Sequence, residues 1–302
     1  MDLHALEGYQ RCDAPLRWAG GKRRLVPLLS AYAGSRDLRV VEAFLGGAAV
    51  SLGLGSTSVL ASDTNEDLMN FYIGCRNAVD RVVEALGHFR DTSDGFYAAR
   101  ASSPTDPELA AARFFFLNRT AYMGLHRTNR LGKFNVPYGG GGRFAYVADS
   151  ERLRVLSSVL QKFDLKTESY EVVASGATFG DLLFLDPPYG SRGDLPFRRY
   201  GAQPFSSVDH VRLAKMARER ARCGAAVYVT LPVDGHLLSN YVGWDIGGVR
   251  KTKSGGLKEV LLVDDVARTE GIGSGEWSAV AWKVGAGGSL LQGGCATQPS
   301  GR

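Results

Sequence analysis

The 302-residue chain is short of several features that would settle its class at once. It has only four cysteines, Cys12, Cys75, Cys223 and Cys295, and their scatter gives neither a disulfide framework nor the paired spacing of a metal site. They are read as free thiols in a reducing cytosol. No apolar run approaches a membrane span, and Met1-Asp2-Leu3-His4 is not followed by the basic and apolar blocks of a secretory signal. A soluble, cytoplasmic protein with no membrane partner is therefore expected. There is no internal repeat, and neither sign of charge dominates. Lys plus Arg number 36 against 31 Asp plus Glu, a net charge of +5, so the surface leans basic and favours a polyanionic partner without proving one. What remains is ordinary globular composition, 44% apolar and 22% charged. The length suits one large domain or one domain with a sizeable insertion.

The most informative stretch is Leu182-Leu183-Phe184-Leu185-Asp186-Pro187-Pro188-Tyr189. Its apolar run has the length and composition of a buried parallel strand, and the two prolines forbid continuation, so Asp186 falls at the strand's carboxyl end. Open α/β sheets place their chemistry there. Prolines donate no hydrogen bond, which leaves carbonyls free to accept. Asp186 and the Pro187 carbonyl can take the two hydrogens of an exocyclic nucleobase amine while Tyr189 covers the ring. The plainer alternative is a strand that ends in an ordinary Asp-Pro turn.

Taken in order, residues 16–22 read Leu-Arg-Trp-Ala-Gly-Gly-Lys and lead into a helix over 23–32. The glycine pair lets backbone N–H groups approach an anion, and Lys22 can add its charge, although a surface turn with a buried Trp explains the segment equally well. A strand is expected at 38–44. Leu45-Gly46-Gly47-Ala48-Ala49 then turns into a helix, as in the first half of a nucleotide-binding βαβ unit. A second strand, 58–62, ends in Asp63, where an acid would bind a ribose hydroxyl pair. The alternative for Asp63 is an N-cap, since Thr64-Asn65-Glu66 opens a helix through Cys75, though a neighbour could cap while Asp63 binds. Further helical patterns span 79–89 and 106–118, separated by a polar, Ser-rich stretch at 91–104. From Arg119 to Tyr146, basic residues alternate with aromatics around four consecutive glycines, 139–142. Such a segment suits phosphate contact with stacking or groove insertion, or else is a solvated basic loop. A helix over 150–162, a strand over 164–168, a helix over 208–222, a strand over 225–230 and paired strands at 242–251 and 257–263 complete an α/β sheet. Residues 191–205 have the content of an active-site loop. The Gly- and Ser-rich residues from 268 to 302 are expected to form a largely disordered tail, with Trp277 and Trp282 unassigned.

Several of these blocks together resemble the Dam-type DNA adenine-N6 methyltransferases. They are Arg17-Trp18-Ala19-Gly20-Gly21-Lys22, Glu42 through Ala48, Ser62-Asp63-Thr64-Asn65, Phe116-Leu117-Asn118-Arg119, Gly132-Lys133-Phe134-Asn135-Val136-Pro137, and Gly180 through Tyr189. They stand in the family's order across roughly residues 14–265. The resemblance implies an α/β, Rossmann-like methyltransferase sheet formed by 14–90 and 150–265, with 91–149 inserted as a helical and hairpin target-recognition region. It implies S-adenosylmethionine as cofactor, with Trp18, Lys22, Phe44, Gly46, Asp63 and Asp186 as its contacts. Asp186, Pro187, Pro188 and Tyr189 would be catalytic, with no metal. Tyr122 and Arg127 would belong to a hairpin that docks in double-stranded DNA, Arg127 pairing bidentately with a guanine. Arg119, Asn129, Lys133 and Pro137 would touch phosphates or hold that hairpin, and Asn118 would support the site.

By the same resemblance the target is N6 of a flipped-out adenine, at GATC or a related short site, and a cognate restriction endonuclease is an admissible partner. Base flipping costs a few kcal/mol, and positioning and electrostatics supply the rate. The competing readings are N4-cytosine methylation and a catalytically inactive DNA-binding protein of the same fold. Four departures stand out. Ala48 replaces the usual third glycine and is expected to be tolerated if its backbone is helical. Ser169-Tyr170 replaces an Asp-Phe pair near the cofactor's adenine. Met123 replaces an Asn in the hairpin, and Thr230-Leu231-Pro232 stands where relatives have an Asn-Ser element.

Overall fold

The computed structural model describes residues 12–33, 38–129, 131–188, 205–251, 256–264 and 277–292. Five parallel strands form one half of a nine-stranded sheet: β1 (Arg39–Glu42), β2 (Val59–Ser62), β3 (Phe163–Lys166), β4 (Asp181–Leu185) and β5 (Ala226–Pro232). The other half is antiparallel: β6 (Asp245–Lys251), β7 (Leu257–Val263), β8 (Trp277–Val284) and β9 (Leu290–Gln292), in the overall order β3-β2-β1-β4-β5-β7-β6-β8-β9. β1 is flanked by β2 and β4, so the chain runs outward in both directions from this pair. A crevice opens outside the carboxyl ends of strands at such a switch point. All five residues of β4 are buried, as befits a strand covered on both faces.

The helices flank this sheet: α1 (Val26–Ala33), α2 (Ala49–Leu54), α3 (Glu66–Leu86), α4 (Ser93–Ala101), α5 (Pro107–Thr120), α6 (Tyr146–Leu160), α7 (Tyr170–Ala174), α8 (Ser207–Arg222) and α9 (Gly235–Leu238). Their starts are written locally. Asn65 caps α3 by accepting from Leu68 N, Asp106 precedes Pro107 and caps α5, and Ser206 with Asp209 forms a reciprocal capping box on α8. One apolar cluster joins Phe71 and Tyr72 of α3 to Phe114, Phe115 and Phe116 of α5 and to Val40 and Phe184 of the sheet. The segment that follows α5 is therefore anchored in the same core as the strands. A second cluster, including Val41, Leu183 and Leu185, packs Tyr170 of α7 and Leu213 of α8 on the other face. Among the described residues no helix is long and apolar enough to cross a membrane.

The helical patterns around 65–75 and 79–89 are both present and meet within α3 at Ala78, whose backbone is non-helical (φ −149°, ψ 46°). Three expectations are corrected. The polar stretch at 91–104 contains α4, capped by Thr92, because Phe96 and Ala99 find the core. The backbone at Ala48 is left-handed rather than right-handed helical, with φ 55° and ψ 24°, a conformation that costs an L-residue about 1 kcal/mol. In the region read as a disordered tail, residues 277–284 and 290–292 add two strands to the sheet. β8 pairs with β6, and its Trp-Ser-Ala-Val-Ala-Trp-Lys-Val sequence has the β-branched and aromatic content of a strand. Residues 268–276 and 293–302 lie outside the described residues, as do Tyr189 and 191–204.

Candidate active site at the strand ends

Asp186 stands immediately past β4, partly exposed in the crevice, with Pro187 buried and Pro188 exposed beyond it. Both its carboxylate oxygens are engaged. Thr230, near the end of β5, donates its hydroxyl to Oδ1 at 2.6 Å, and Lys22 donates its ammonium to Oδ2 at 2.7 Å. Lys22 is itself buried, donates to the Gly20 carbonyl at 2.8 Å, and lies 3.5 Å from Glu259 of β7. Glu259 in turn pairs with Arg250 of β6, its cross-strand neighbour. Lys22 thus bridges the carboxylates of Asp186 and Glu259.

The turn after β1 is built around Trp18. A Cβ on Gly46 would lie 2.8 Å from the Trp18 indole nitrogen, and one on Gly47 would lie 2.9 Å from the Trp18 Cβ. Gly46 also has a left-handed φ of 48°, so glycine is required there twice over. Its N–H donates to Asp63 Oδ2 at 3.0 Å, while Asn65 N donates to Asp63 Oδ1 at 3.0 Å. Asn65 supplies the helix cap, and Asp63 is left as an oriented carboxylate at the end of β2. Burial pushes the Asp63 carboxyl above its ordinary value, against the backbone N–H groups that pull it down. Phe44, half-buried after β1, stacks on Tyr170 at 5.0 Å and meets Phe205 edge-on at 5.7 Å. An aromatic is therefore kept where Ser169-Tyr170 departs from the family's Asp-Phe.

Glu42, the last residue of β1, is buried and accepts hydrogen bonds from the Ser51 N–H and hydroxyl. Its carboxyl is pushed up to about 8, first by burial and further by the negative charges of Asp186 and Asp63. The carboxylates of Asp186 and Asp63 lie near enough to Glu42 to raise its proton affinity, and this concentration of acids at the strand ends favours a cationic ligand. A sulfonium donor such as S-adenosylmethionine fits that charge, and Phe44, Tyr170 and Asp63 are the residue types that suit a base and a ribose.

The recognition segment follows α5. Its ends are tied by Tyr122 N donating to the Pro137 carbonyl and Asn135 N to the Arg127 carbonyl, at 2.9 and 3.0 Å. The Asn129 side chain accepts from Leu131 N and Lys133 N, so it closes the tip. Tyr122 and Met123 are 51% and 68% exposed, Pro137 and Lys133 are exposed, and Arg127 is half-buried with its Nε donating to Asn135 Oδ1 at 2.7 Å. Met123 occupies a left-handed conformation, φ 54°, the kind of position that an Asn adopts at less cost. Arg119 faces inward to the buried Asp149 at 3.4 Å. A cavity of about 250 Å³ lies among Tyr122, Leu125, His126, Arg127, Val136 and Pro137. The segment is also locked to the amino-terminal loop: Arg17 N donates to the Asn118 side chain at 2.9 Å, and that side chain donates back to the Arg17 carbonyl at 2.8 Å.

The structure therefore gathers Trp18, Lys22, Phe44, Gly46, Asp63 and Asp186 around the strand ends, and Tyr122, Arg127, Asn129, Lys133 and Pro137 on the recognition segment. Thr230, Glu259 and Arg250 joined the first group. Thr230 had been singled out only as a departure from the family's Asn-Ser element, and Arg250 and Glu259, beside Lys251 and Lys258, read as the charged ends of their strands. Only a buried acid at Glu259, amid Val260-Leu261-Leu262, could have been noticed.

Residues 18–234 match the family model for the D12 class of N6 adenine-specific DNA methyltransferases. The type II methyltransferase M.MjaIII of Methanocaldococcus jannaschii is 30% identical over 240 residues, covering 71% of this chain and 82% of that protein. The type II methyltransferase M1.LlaDCHI of Lactococcus lactis is 29% identical over 80% of this chain and 89% of its own. A DNA adenine methylase of Serratia marcescens is 31% identical over 68% of this chain and 77% of its own.

Proposed function

The chain belongs to the D12 class of N6 adenine-specific DNA methyltransferases, and on that premise we propose how its own residues carry the transfer. The reaction is methylation of the adenine amino group in DNA. The proposed methyl donor is S-adenosylmethionine, which supplies an electrophilic sulfonium methyl when bound. Asp63 would take its ribose, Phe44 and Tyr170 its base, and the carboxylates of Asp63 and Asp186 favour its positive charge.

The adenine amine is a weak nucleophile because its lone pair is delocalised into the ring. Asp186 and the Pro187 carbonyl accept the two amine hydrogens, which favours a pyramidal nitrogen with its lone pair directed at the methyl. Tyr189 would cover the ring. As the N–CH3 bond forms, the sulfonium S–CH3 bond would break and leave a neutral thioether; the nitrogen would then bear a positive charge and release one hydrogen as a proton, for which the Asp186 carboxylate is the adjacent acceptor. No covalent enzyme intermediate is required. Positioning and electrostatic stabilisation provide the rate.

The substrate is double-stranded DNA with the adenine flipped from the stack, since the amine is otherwise paired and buried. Tyr122 and Arg127 would dock in the groove, with Arg127 reading a guanine of GATC or a related short site. Lys133 would touch phosphate, while Asn129, Arg119 and Pro137 hold the segment. A cognate restriction endonuclease is the proposed partner in the cell. One observation carries the catalytic reading: Asp186 ends a fully buried strand with both oxygens held, by Thr230 and Lys22.

Purified protein incubated with unmethylated genomic DNA and S-adenosylmethionine, followed by sequencing that detects modified bases directly, tests this. N6-methyladenine confined to one short motif is expected. DNA that is bound but unmodified would replace this reading with an inactive DNA-binding protein.

A further inference from the structure

We propose that Glu259 is a positioning residue for methyl transfer, acting on Asp186 through the Lys22 ammonium; this rests on Asp186 being the acceptor of the amine hydrogens. The four charged groups alternate in sign from Arg250 through Glu259 and Lys22 to Asp186. They come from three separate parts of the chain: β6 and β7, the amino-terminal loop, and the end of β4. Side-chain exposure is 22% at Arg250, 3% at Glu259, 5% at Lys22 and 20% at Asp186, so only the two ends of the series meet solvent. Interior ion pairs are a weak source of stability, because desolvation offsets their attraction. What this series does contribute is a defined place for the last carboxylate.

The physical effect follows from how Lys22 divides its attraction. Its ammonium has three donors, and it reaches Gly20 O at 2.8 Å, Asp186 Oδ2 at 2.7 Å and Glu259 Oε1 at 3.5 Å. With Glu259 charged, Lys22 is balanced from two sides and orients Asp186 without saturating it. With Glu259 neutral, the whole attraction falls on Asp186 Oδ2, and the carboxylate becomes a poorer acceptor for the incoming amine. Arg250 keeps Glu259 from drawing Lys22 away altogether. The ladder makes this arrangement local, since Arg250 and Glu259 are register partners across β6 and β7. Thr230 completes it by holding the other oxygen, Oδ1, at 2.6 Å.

Single-turnover methylation at saturating S-adenosylmethionine and DNA tests the proposal, with donor affinity by calorimetry and thermal unfolding measured beside it. Glu259→Gln is expected to lower the single-turnover rate by about 10- to 100-fold, as misplacement of a reacting group does, while DNA affinity stays within about threefold. Glu259→Asp, which keeps the charge, is expected to recover part of the loss. A Glu259→Gln rate within about twofold of the parent overturns the proposal, as does a loss that appears only in KM or that Glu259→Asp does not lessen. If Glu259→Gln fails to fold, Arg250→Gln at the more exposed end decides. A several-fold slower transfer is expected there, and an unchanged rate overturns the proposal. Asp186→Ala in the same assay separates the two readings: transfer by that variant removes the acceptor role itself, whatever Glu259 does.

Discussion

The indole of Trp18 stacks on the imidazole of His126 with ring centroids 5.5 Å apart and planes 26° from parallel. The pair joins the loop that delivers Lys22 to Asp186 with the segment that carries Tyr122 and Arg127. Trp18 also packs against Gly46 and Gly47, so a single side chain contacts both the cofactor turn and the recognition segment. Phe114 of α5 lies 5.4 Å from the His126 ring and fixes the stack to the core.

Burial pushes His126 down to about 4, so the ring is neutral at ordinary pH and suited to its apolar neighbours. A folded-state value below the unfolded one means that the contribution is complete above about pH 6.5 and is lost as pH falls toward 4. The loss amounts to on the order of 3 kcal/mol at most. Chemical denaturation of the parent protein across that window is expected to show it. His126→Phe keeps a ring in the stack and should flatten the dependence; an equally steep curve in that variant would assign it to other groups.

Gly46→Ala places a Cβ 2.8 Å from Trp18 Nε1 at a φ of 48°. A destabilisation of about 1–3 kcal/mol is expected from clash and backbone strain together, with weaker binding of S-adenosylmethionine by calorimetry. Gly132→Ala separates the two effects, because that glycine has φ 73° but nothing within 4 Å. If the two variants lose equal stability, Trp18 is not what excludes the side chain.

Asp186→Ala removes the carboxylate held by Thr230 and Lys22. Methyl transfer to DNA should fall below detection, a loss of at least about a hundredfold for a positioned group. Donor and DNA affinities are expected to be largely intact, measured by calorimetry and fluorescence anisotropy. Retained transfer would place the acceptor elsewhere.

Arg127→Ala is expected to cost about 1–3 kcal/mol of discrimination at one base pair. Asn135→Ala, which removes the 2.7 Å bond that orients the guanidinium, should show a fraction of that loss at the same position. Methylation rates on a panel of single-base variants of the recognised site report both. Uniform weakening over the panel would make Arg127 a phosphate contact.

Much of the framework is local and was legible as such. An apolar run ended by two prolines has few alternatives to a strand with Asp186 at its tip, and Asn65, Asp106 and Ser206 cap their helices through hydrogen bonds spanning three residues. Less was legible where a side chain's meaning depends on a distant neighbour. α4 was missed because its polar composition becomes regular only when a core accepts Phe96, and β8 because its strand-like residues stand in a Gly- and Ser-rich stretch and find their ladder only on β6. The two halves of α3 were legible as separate helical patterns, and they meet at the non-helical backbone of Ala78.

What the sequence by itself determined is the set of parts: the parallel strands, the glycine turn, the strand-end Asp186 and a basic, aromatic recognition segment, each specified by residues close together in the chain. Only the tertiary structure decided that Lys22 belongs to Asp186 from 164 positions away, that Trp18 fills the space left by Gly46 and Gly47, and that Glu259, Arg250 and Thr230 stand behind the carboxylate. The reason is physical. Caps, turns and strand ends are satisfied by short-range hydrogen bonding and steric limits, whereas the partner of a buried charge is whichever group the topology brings within reach once water has been excluded.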